Sequence, residues 1–139
     1  MTSTFLVCRR AGMQVLIPAD DVLGVREMTV HQAPPTAPAW IAGVAVLDEA
    51  AVAVAHVDAL APASRRAEGR RVVVLQRQAG QAGELEGIVV DEVLELRALV
   101  CEVAADAADG WYRRTREPAH AVLVDPARLR AALQAGGTA

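Results

Sequence analysis

The sequence of 139 residues contains no lysine, two cysteines and only four aromatic residues. Its 14 basic residues, all arginines, stand against 17 acidic residues, which gives a formal net charge of −3 at pH 7. Because this charge provides no excess of cations to displace the counterions of phosphate groups, it argues against nucleic acid as a partner. The small number of aromatic residues also leaves few platforms on which bases could stack.

The two cysteines, Cys8 and Cys101, lie far apart in the sequence, and neither belongs to a CxxC motif. This usage is typical of reduced thiols in the cytoplasm and not of a disulfide framework. The apolar stretch near the N-terminus is too short for a signal peptide, and no segment approaches the roughly 20 apolar residues of a membrane-spanning helix. We therefore expect a cytoplasmic protein without direct membrane insertion.

Patterns that carry catalysis or metal binding are scarce. The only serines, Ser3 and Ser64, lie in a terminus and in a predicted linker, away from any positioned base. The three histidines, His31, His56 and His120, share no local motif such as HxxxH. The sequence contains neither a GxGxxG nor a GxxxxGKS/T motif. We predict no catalytic residue, cofactor or metal, and the alternative is a small β-barrel metal-binding enzyme that uses the three histidines.

Three acidic pairs and two arginine clusters complete the charged features. The pairs are Asp20/Asp21, Asp48/Glu49 and Asp91/Glu92, and the clusters lie within 65–71 and 113–116. Each acidic pair falls at a predicted turn, where carboxylates are common, so the pairs predict solvated turns and not acid–base catalysis. The arginine clusters are interpreted as solvated loops, with an acidic partner surface as the functional alternative.

Hydrophobic residues make up 53% of the chain, which is enough to fill one core. Short apolar runs separated by turn residues predict strands over 5–9, 13–17, 25–28, 41–47, 50–57, 71–77, 85–90, 93–96 and 121–124. Residues 97–119 are compatible with a strand, a loop or a short helix. Asp125 followed by Pro126 predicts the start of a helix that runs to about Gln134.

The number of short strands, with a single terminal helix, predicts an all-β barrel architecture. Residues 31–39 contain three prolines and are predicted to form a stiff, extended loop. The polar segment 61–71 is predicted to link two halves of one domain that spans 1–139.

Five segments in order along the chain resemble a known family. They are the opening FLV, IPADDVLGV, APAWIAGVAVL, GIVVDEVLEL and VLVDPARL. Their apolar, glycine and aspartate positions resemble those of the CheW-like domain, the adaptor that couples bacterial chemoreceptors to the CheA histidine kinase. The resemblance extends from Phe5 to Leu133.

This resemblance implies two packed five-stranded β-barrel subdomains with a short C-terminal helix. It also implies a non-catalytic adaptor whose partners are the cytoplasmic tip of a methyl-accepting chemoreceptor, the regulatory domain of a CheA-type kinase and other CheW-like proteins. A groove of the kind that accepts a receptor helix would have Val22 and Val25 on its floor, and core packing is the alternative role for both. The resemblance predicts the following partner-binding residues: Val22, Gly24, Val25, Trp40, Gly43, Asp48, Glu49, Val90 and Asp91.

The chain departs from the family pattern after Leu47. Asp48 and Glu49 stand where the family usually has Arg-Gly, Ala53 replaces a proline, and His56 replaces an aspartate. Because the arginine is a contact residue of the family, its replacement by Asp48 is expected to reduce complementarity with a standard partner. The alternative function is therefore an adaptor that binds a receptor or a sibling adaptor and has lost or weakened kinase binding.

Overall fold

The computed structural model describes residues 2–57, 68–76 and 85–136. Within these ranges the chain forms eleven strands, a 3-10 turn at Ala19–Asp21 and one helix. The strands are β1 (Ser3–Arg10), β2 (Met13–Pro18), β3 (Val22–Gln32), β4 (Ile41–Leu47), β5 (Ala50–Ala55), β6 (Glu68–Leu75), β7 (Leu85–Val90), β8 (Glu92–Leu99), β9 (Glu102–Val103), β10 (Tyr112–Glu117) and β11 (Ala121–Val124), and the helix is α1 (Pro126–Gly136). The all-β class with a short C-terminal helix is confirmed.

The chain divides into two compact units. The terminal unit contains Met1–Val22 and Glu92–Ala139, and the central unit contains Leu23–Asp91. Of the predicted link at 61–71, residues 61–67 lie outside the described residues. Strands β5 and β6, which flank it, both belong to the central unit, so this segment connects two strands of one unit. The chain instead passes between the units at Val22/Leu23 and at Asp91/Glu92.

The terminal unit is a six-stranded sheet with the order β8-β1-β2-β11-β10-β9. The predicted strands over 5–9 and 13–17 are present as β1 and β2, and they form a hairpin with Arg10 paired to Met13 across the turn. β11 pairs with β2 in parallel, which joins residues more than 100 positions apart. The core cluster of the terminal unit contains Phe5, Val7, Leu16 and Ala121. Burial raises the pKa of the Cys8 thiol in this unit to about 12.

Helix α1 begins where the sequence predicts. The backbone N–H of Arg128 donates a hydrogen bond of 3.2 Å to Oδ1 of Asp125, and the N–H of Leu129 donates one of 3.0 Å to the Asp125 carbonyl. The Asp125 side chain thus satisfies the N–H of Arg128, which has no carbonyl partner within the helix, and the Asp125 carbonyl accepts the first regular helical hydrogen bond. In the described part of the chain, α1 is the only α-helix, and it is neither long nor apolar enough to cross a membrane.

The central unit is a closed barrel with the order β3-β4-β5-β7-β6. β5 and β7 pair in parallel, while β3–β4, β4–β5 and β6–β7 pair in antiparallel fashion. Valines predominate in the barrel core, which consists of Met28, Val30, Ala45, Val52, Val54, Val72, Val74, Leu85 and Val89. Val52 and Val54 lie on one face of β5, and both belong to this core.

Several predicted boundaries shift in the structure, and one of them shortens the proline-rich loop. His31 and Gln32 belong to β3 because they pair with Val44 and Gly43, so the proline-rich loop is shorter than predicted. Its end is fixed by His56, whose buried Nε2 donates a hydrogen bond of 2.6 Å to the Ala39 carbonyl. The uncertain segment 97–119 includes the end of β8, the short strand β9 and β10.

Gly43 allows β3 and β4 to approach closely. It lies at an irregularity of the β4–β5 pairing and has a φ of +153°. A Cβ atom at this position would lie 1.9 Å from the carbonyl oxygen of His31. Because this neighbour is backbone and cannot rotate away, any other residue at position 43 would force the two strands apart.

The β4–β5 hairpin closes with a two-residue turn in which both residues have positive φ. Leu47 pairs with Ala50, and the intervening Asp48 and Glu49 have φ of 48° and 69°. This is the conformation of a type I′ turn, which prefers Asn-Gly or Asp-Gly because the second position strains a side chain. Asp48 tolerates this conformation, whereas Glu49 is strained.

Replacing Gly43 with alanine is expected to lower the free energy of unfolding by about 3–5 kcal/mol, since it adds a backbone clash to the strain of positive φ. Gly12→Ala is the matched control, because Gly12 has a φ of +82° and a Cβ added there would have no atom within 4 Å. The control is expected to lose only about 1 kcal/mol. Urea denaturation measures both, and equal losses would contradict the close-approach explanation.

Replacing Glu49 with glycine is expected to raise the free energy of unfolding by about 1 kcal/mol, because glycine adopts positive φ without strain. Glu49→Ala removes the same charge but keeps a Cβ, so it is expected to give no comparable gain. Thermal unfolding of the three proteins separates backbone strain from charge. A gain for alanine equal to that for glycine would attribute the effect to the carboxylate.

Candidate partner-binding surface

The tip of the β4–β5 hairpin, formed by Asp48 and Glu49, carries two exposed carboxylates on adjacent residues. A two-residue turn has few internal degrees of freedom, so it holds these charges in a defined position relative to the barrel. We name this pair the acidic tip. It presents negative charge at the position where the family pattern has an arginine.

An open pocket of about 370 Å³ lies beside the acidic tip. Leu23, Leu47, Ala50 and Leu85 supply its apolar lining, and Asp48 and Gln76 supply its polar groups. Leu23 is 56% exposed, so part of this apolar lining is accessible to a partner. An apolar pocket with a carboxylate at its margin suits a partner that presents an apolar side chain next to a cation. We name this feature the tip pocket.

The outer face of β4 provides a second apolar area on the same hairpin. Val44 and Val46 point away from the core residue Ala45, and Val46 is 65% exposed. Their partners on β5 are Ala53 and Ala51, which are both partly exposed. The small alanines leave this strip flat, so it provides area for contact without a deep cavity.

The structure does not gather the predicted partner-binding residues at one place. Among the described residues that line the tip pocket, Asp48 is the only one of the nine predicted positions, with Glu49 next to it. Val22, Gly24, Val25 and Trp40 are partly buried, whereas Gly43 is buried and has the structural role described above. These positions remain predictions as partner contacts.

Val90 and Asp91 line a second pocket in the central unit, of about 310 Å³, together with Glu27, Arg70 and Arg71. Val90 is buried and Asp91 is exposed. Nη2 of Arg71 lies 3.4 Å from Oε1 of Glu27, so opposite charges neutralise each other within this pocket. The arrangement has no strong preference for an anion or a cation.

Three residues of the tip pocket escape the sequence analysis: Leu23, Gln76 and Leu85. Leu23 could have been found, because Met28 and Val30 face the core and strand alternation then places position 23 on the outside. Gln76 and Leu85 reach the pocket only through the pairing of strands that are distant in sequence. No local pattern marks them.

Two arginines of the 113–116 cluster, Arg114 and Arg116, are engaged within the terminal unit. Nη2 of Arg114 donates a hydrogen bond of 2.9 Å to Asp106, and Arg116 forms an ion pair with Glu102. The Arg114 guanidinium lowers the pKa of the Asp106 carboxyl by hydrogen bonding and by charge. These contacts favour the interpretation of this cluster as a solvated, internally paired surface.

The three histidines do not form a site. His56 is buried and bonded to the Ala39 carbonyl, whereas His31 and His120 are exposed. Among residues 2–57, 68–76 and 85–136, no group of three or more His, Cys, Asp or Glu side chains is placed to hold a metal ion. The arrangement therefore gives no support to the metal-enzyme alternative.

Comparisons with known proteins give one family match and one similar fold. The model of the CheW-like domain matches residues 4–128. The crystal structure of the scaffolding protein TtCheW from Thermoanaerobacter tengcongensis is similar to this chain with a TM-score of 0.62 and 17% identity, over 89% of this chain and 84% of that chain. A search of curated proteins finds no match. Since the family model spans most of the sequence, the chain belongs to the CheW-like domain family.

Proposed function

We propose that this protein is a cytoplasmic adaptor of bacterial chemosensory signalling that works by binding and not by catalysis. Its partners in this proposal are the cytoplasmic tip of a chemoreceptor and the regulatory domain of a CheA-type kinase. Membership of the CheW-like domain family and the fold shared with a scaffolding protein support the adaptor role.

The acidic tip beside the tip pocket is the observation that carries the proposal. Specific interfaces combine an apolar centre with a polar margin, and the leucines and Asp48 supply both within a few residues. The flat strip of Val44 and Val46 enlarges the apolar area on the same hairpin. The tip pocket and this strip are two apolar areas on opposite faces of β4 that a protein partner can contact.

The strain at Glu49 also favours a binding role for this turn. A residue held at a φ of 69° costs stability that glycine would restore. Backbone strain of this kind is concentrated at functional sites. We therefore infer that the Glu49 carboxylate contributes to recognition by a partner that carries a cation.

The charge of the acidic tip supports a second candidate function. A standard kinase partner is complementary to an arginine at position 48, and Asp48 would repel the same surface. The alternative is an adaptor that binds a receptor or a sibling CheW-like protein and has weak affinity for the kinase. Such an adaptor would compete with kinase recruitment instead of promoting it.

Binding titrations decide between the two candidates. The full chain is titrated with the receptor tip fragment and with the kinase regulatory domain encoded nearest to its own gene. Binding to both supports the coupling adaptor, and binding to the receptor alone supports the second candidate. Binding to neither would overturn the proposal.

The substitution Asp48→Arg is expected to raise the affinity for the kinase regulatory domain by about tenfold, because it replaces repulsion with attraction at one contact. Asp20→Arg is the matched control, since Asp20 is an exposed carboxylate in the terminal unit and gives the same change in net charge. Isothermal titration calorimetry measures both. An equal gain for the control would attribute the effect to net charge alone.

The substitution Leu23→Asn is expected to reduce the affinity for whichever partner binds the tip pocket by about tenfold, because it removes an exposed apolar contact. Val100→Asn serves as its control, as Val100 is 53% exposed and lies in the terminal unit. Unfolding curves that match the unmodified protein show that folding is retained. Unchanged affinity for Leu23→Asn would exclude the tip pocket from the interface.

A further inference from the structure

Strand β8 lies at the end of the six-stranded sheet. In the described part of the chain β1 is its strand neighbour, and the sheet order places no strand on its other side. An edge strand carries main-chain groups that can pair with another strand, and natural proteins usually protect such an edge. β8 has two of the usual protective features, charged side chains and an irregularity at Leu94, but Leu96 between the charges is exposed.

The side chains of β8 are exposed on both faces of the strand. Leu96 is 66% exposed, and its neighbours Glu95 and Arg97, which point to the opposite face, have side chains that are 54% and 58% exposed. Their partners on β1, Phe5, Leu6 and Val7, are all buried. Leu96 of β8 is therefore exposed, although the neighbouring residues of β1 are buried.

The sequence of β8 is complementary to itself. When two antiparallel copies are aligned with Leu96 opposite Leu96, Glu95 of each copy faces Arg97 of the other. These three residues of each copy form the centre of the contact, because the β1–β8 register shifts at Leu94. Apolar residues thus meet apolar residues, and each charge meets an opposite charge.

Neighbouring registers lack this agreement. Centring the pair on Glu95 or on Arg97 places two like charges directly opposite each other, which is unfavourable. Centring it between two residues places Glu95 opposite Leu96, because such a shift exchanges the faces. The charges of β8 therefore select one symmetric register.

We propose that β8 is a self-association surface through which two copies of this chain pair antiparallel about Leu96. A two-fold axis repeats every contact, so both Glu95–Arg97 pairs form together, as in other symmetric dimers. Self-complementarity favours a second copy over an unrelated strand, since an unrelated partner would need a matching charge order of its own.

Two local features set the extent of this pairing. Leu94 lies at an irregularity in the β1–β8 register, so the regular part of the edge runs from Glu95 to Leu99. Within one chain Nη1 of Arg97 lies 3.7 Å from Oε1 of Glu95. Exposed pairs at this distance contribute little stability, so both side chains can exchange this contact for one with the second copy.

Analytical ultracentrifugation of the full chain over a range of concentrations tests the proposal. The unmodified protein is expected to show a monomer–dimer equilibrium. Glu95→Arg and Arg97→Glu are each expected to weaken dimerisation by about tenfold, because each variant places like charges opposite each other. A monomer at every concentration for the unmodified protein would overturn the proposal.

A mixture of the two variants is the decisive control. One Glu95→Arg chain and one Arg97→Glu chain regain both ion pairs when they meet, so the mixture is expected to form a heterodimer at concentrations where each variant alone is mostly monomeric. The double variant, which exchanges the two charges within one chain, is expected to dimerise like the unmodified protein. A mixture that stays monomeric, or single variants that dimerise normally, would contradict the register.

The substitution Leu96→Lys provides a readout that is independent of the ion pairs. It places two cations on the proposed two-fold axis and is expected to abolish the dimer, while unfolding curves report whether the exposed substitution leaves the fold intact. A persistent dimer would show that self-association uses another surface. Because β8 is in the terminal unit and the acidic tip is in the central unit, these outcomes are separate from those of the partner titrations.

Discussion

Closure of the central barrel depends on a main-chain contact that only glycine permits. The carbonyl of His31 occupies the space that a Cβ of residue 43 would take, and this lets β3 pair with β4. A similar restriction applies to Gly87 in β7, where a Cβ would lie 2.5 Å from Cγ1 of Val72. A core made mostly of valine is narrow, so its strands must approach closely to leave no voids.

The β4–β5 hairpin connects the closely packed barrel core with the surface. Val52 and Val54 fix one face of the hairpin inside the barrel, and the two-residue turn then leaves Asp48 and Glu49 little freedom. A preorganised surface loses little conformational entropy when a partner binds. The strain at Glu49 and the reversed charge at Asp48 are thus two properties of one turn, the first affecting stability and the second affecting partner choice.

The sequence predicts local structure well where the signal is local. The β1–β2 hairpin, the two strands beside Asp48 and the Asp125 cap all follow from turn residues, alternation and capping chemistry. The parallel pairs β2–β11 and β5–β7 could not be predicted, because they join segments without a connecting turn. The acidic tip was found from its departure from a family pattern, whereas Leu85 enters the tip pocket only through one of those parallel pairs.

The central claim is that a partner docks on the hairpin of the central unit. Hydrogen-exchange mass spectrometry of the protein with and without the bound receptor tip or kinase regulatory domain tests it most directly. The account predicts slower exchange in the complex for segment 44–50 and for the peptide that contains Leu23. Slower exchange confined to other segments, with these two unchanged, would contradict it.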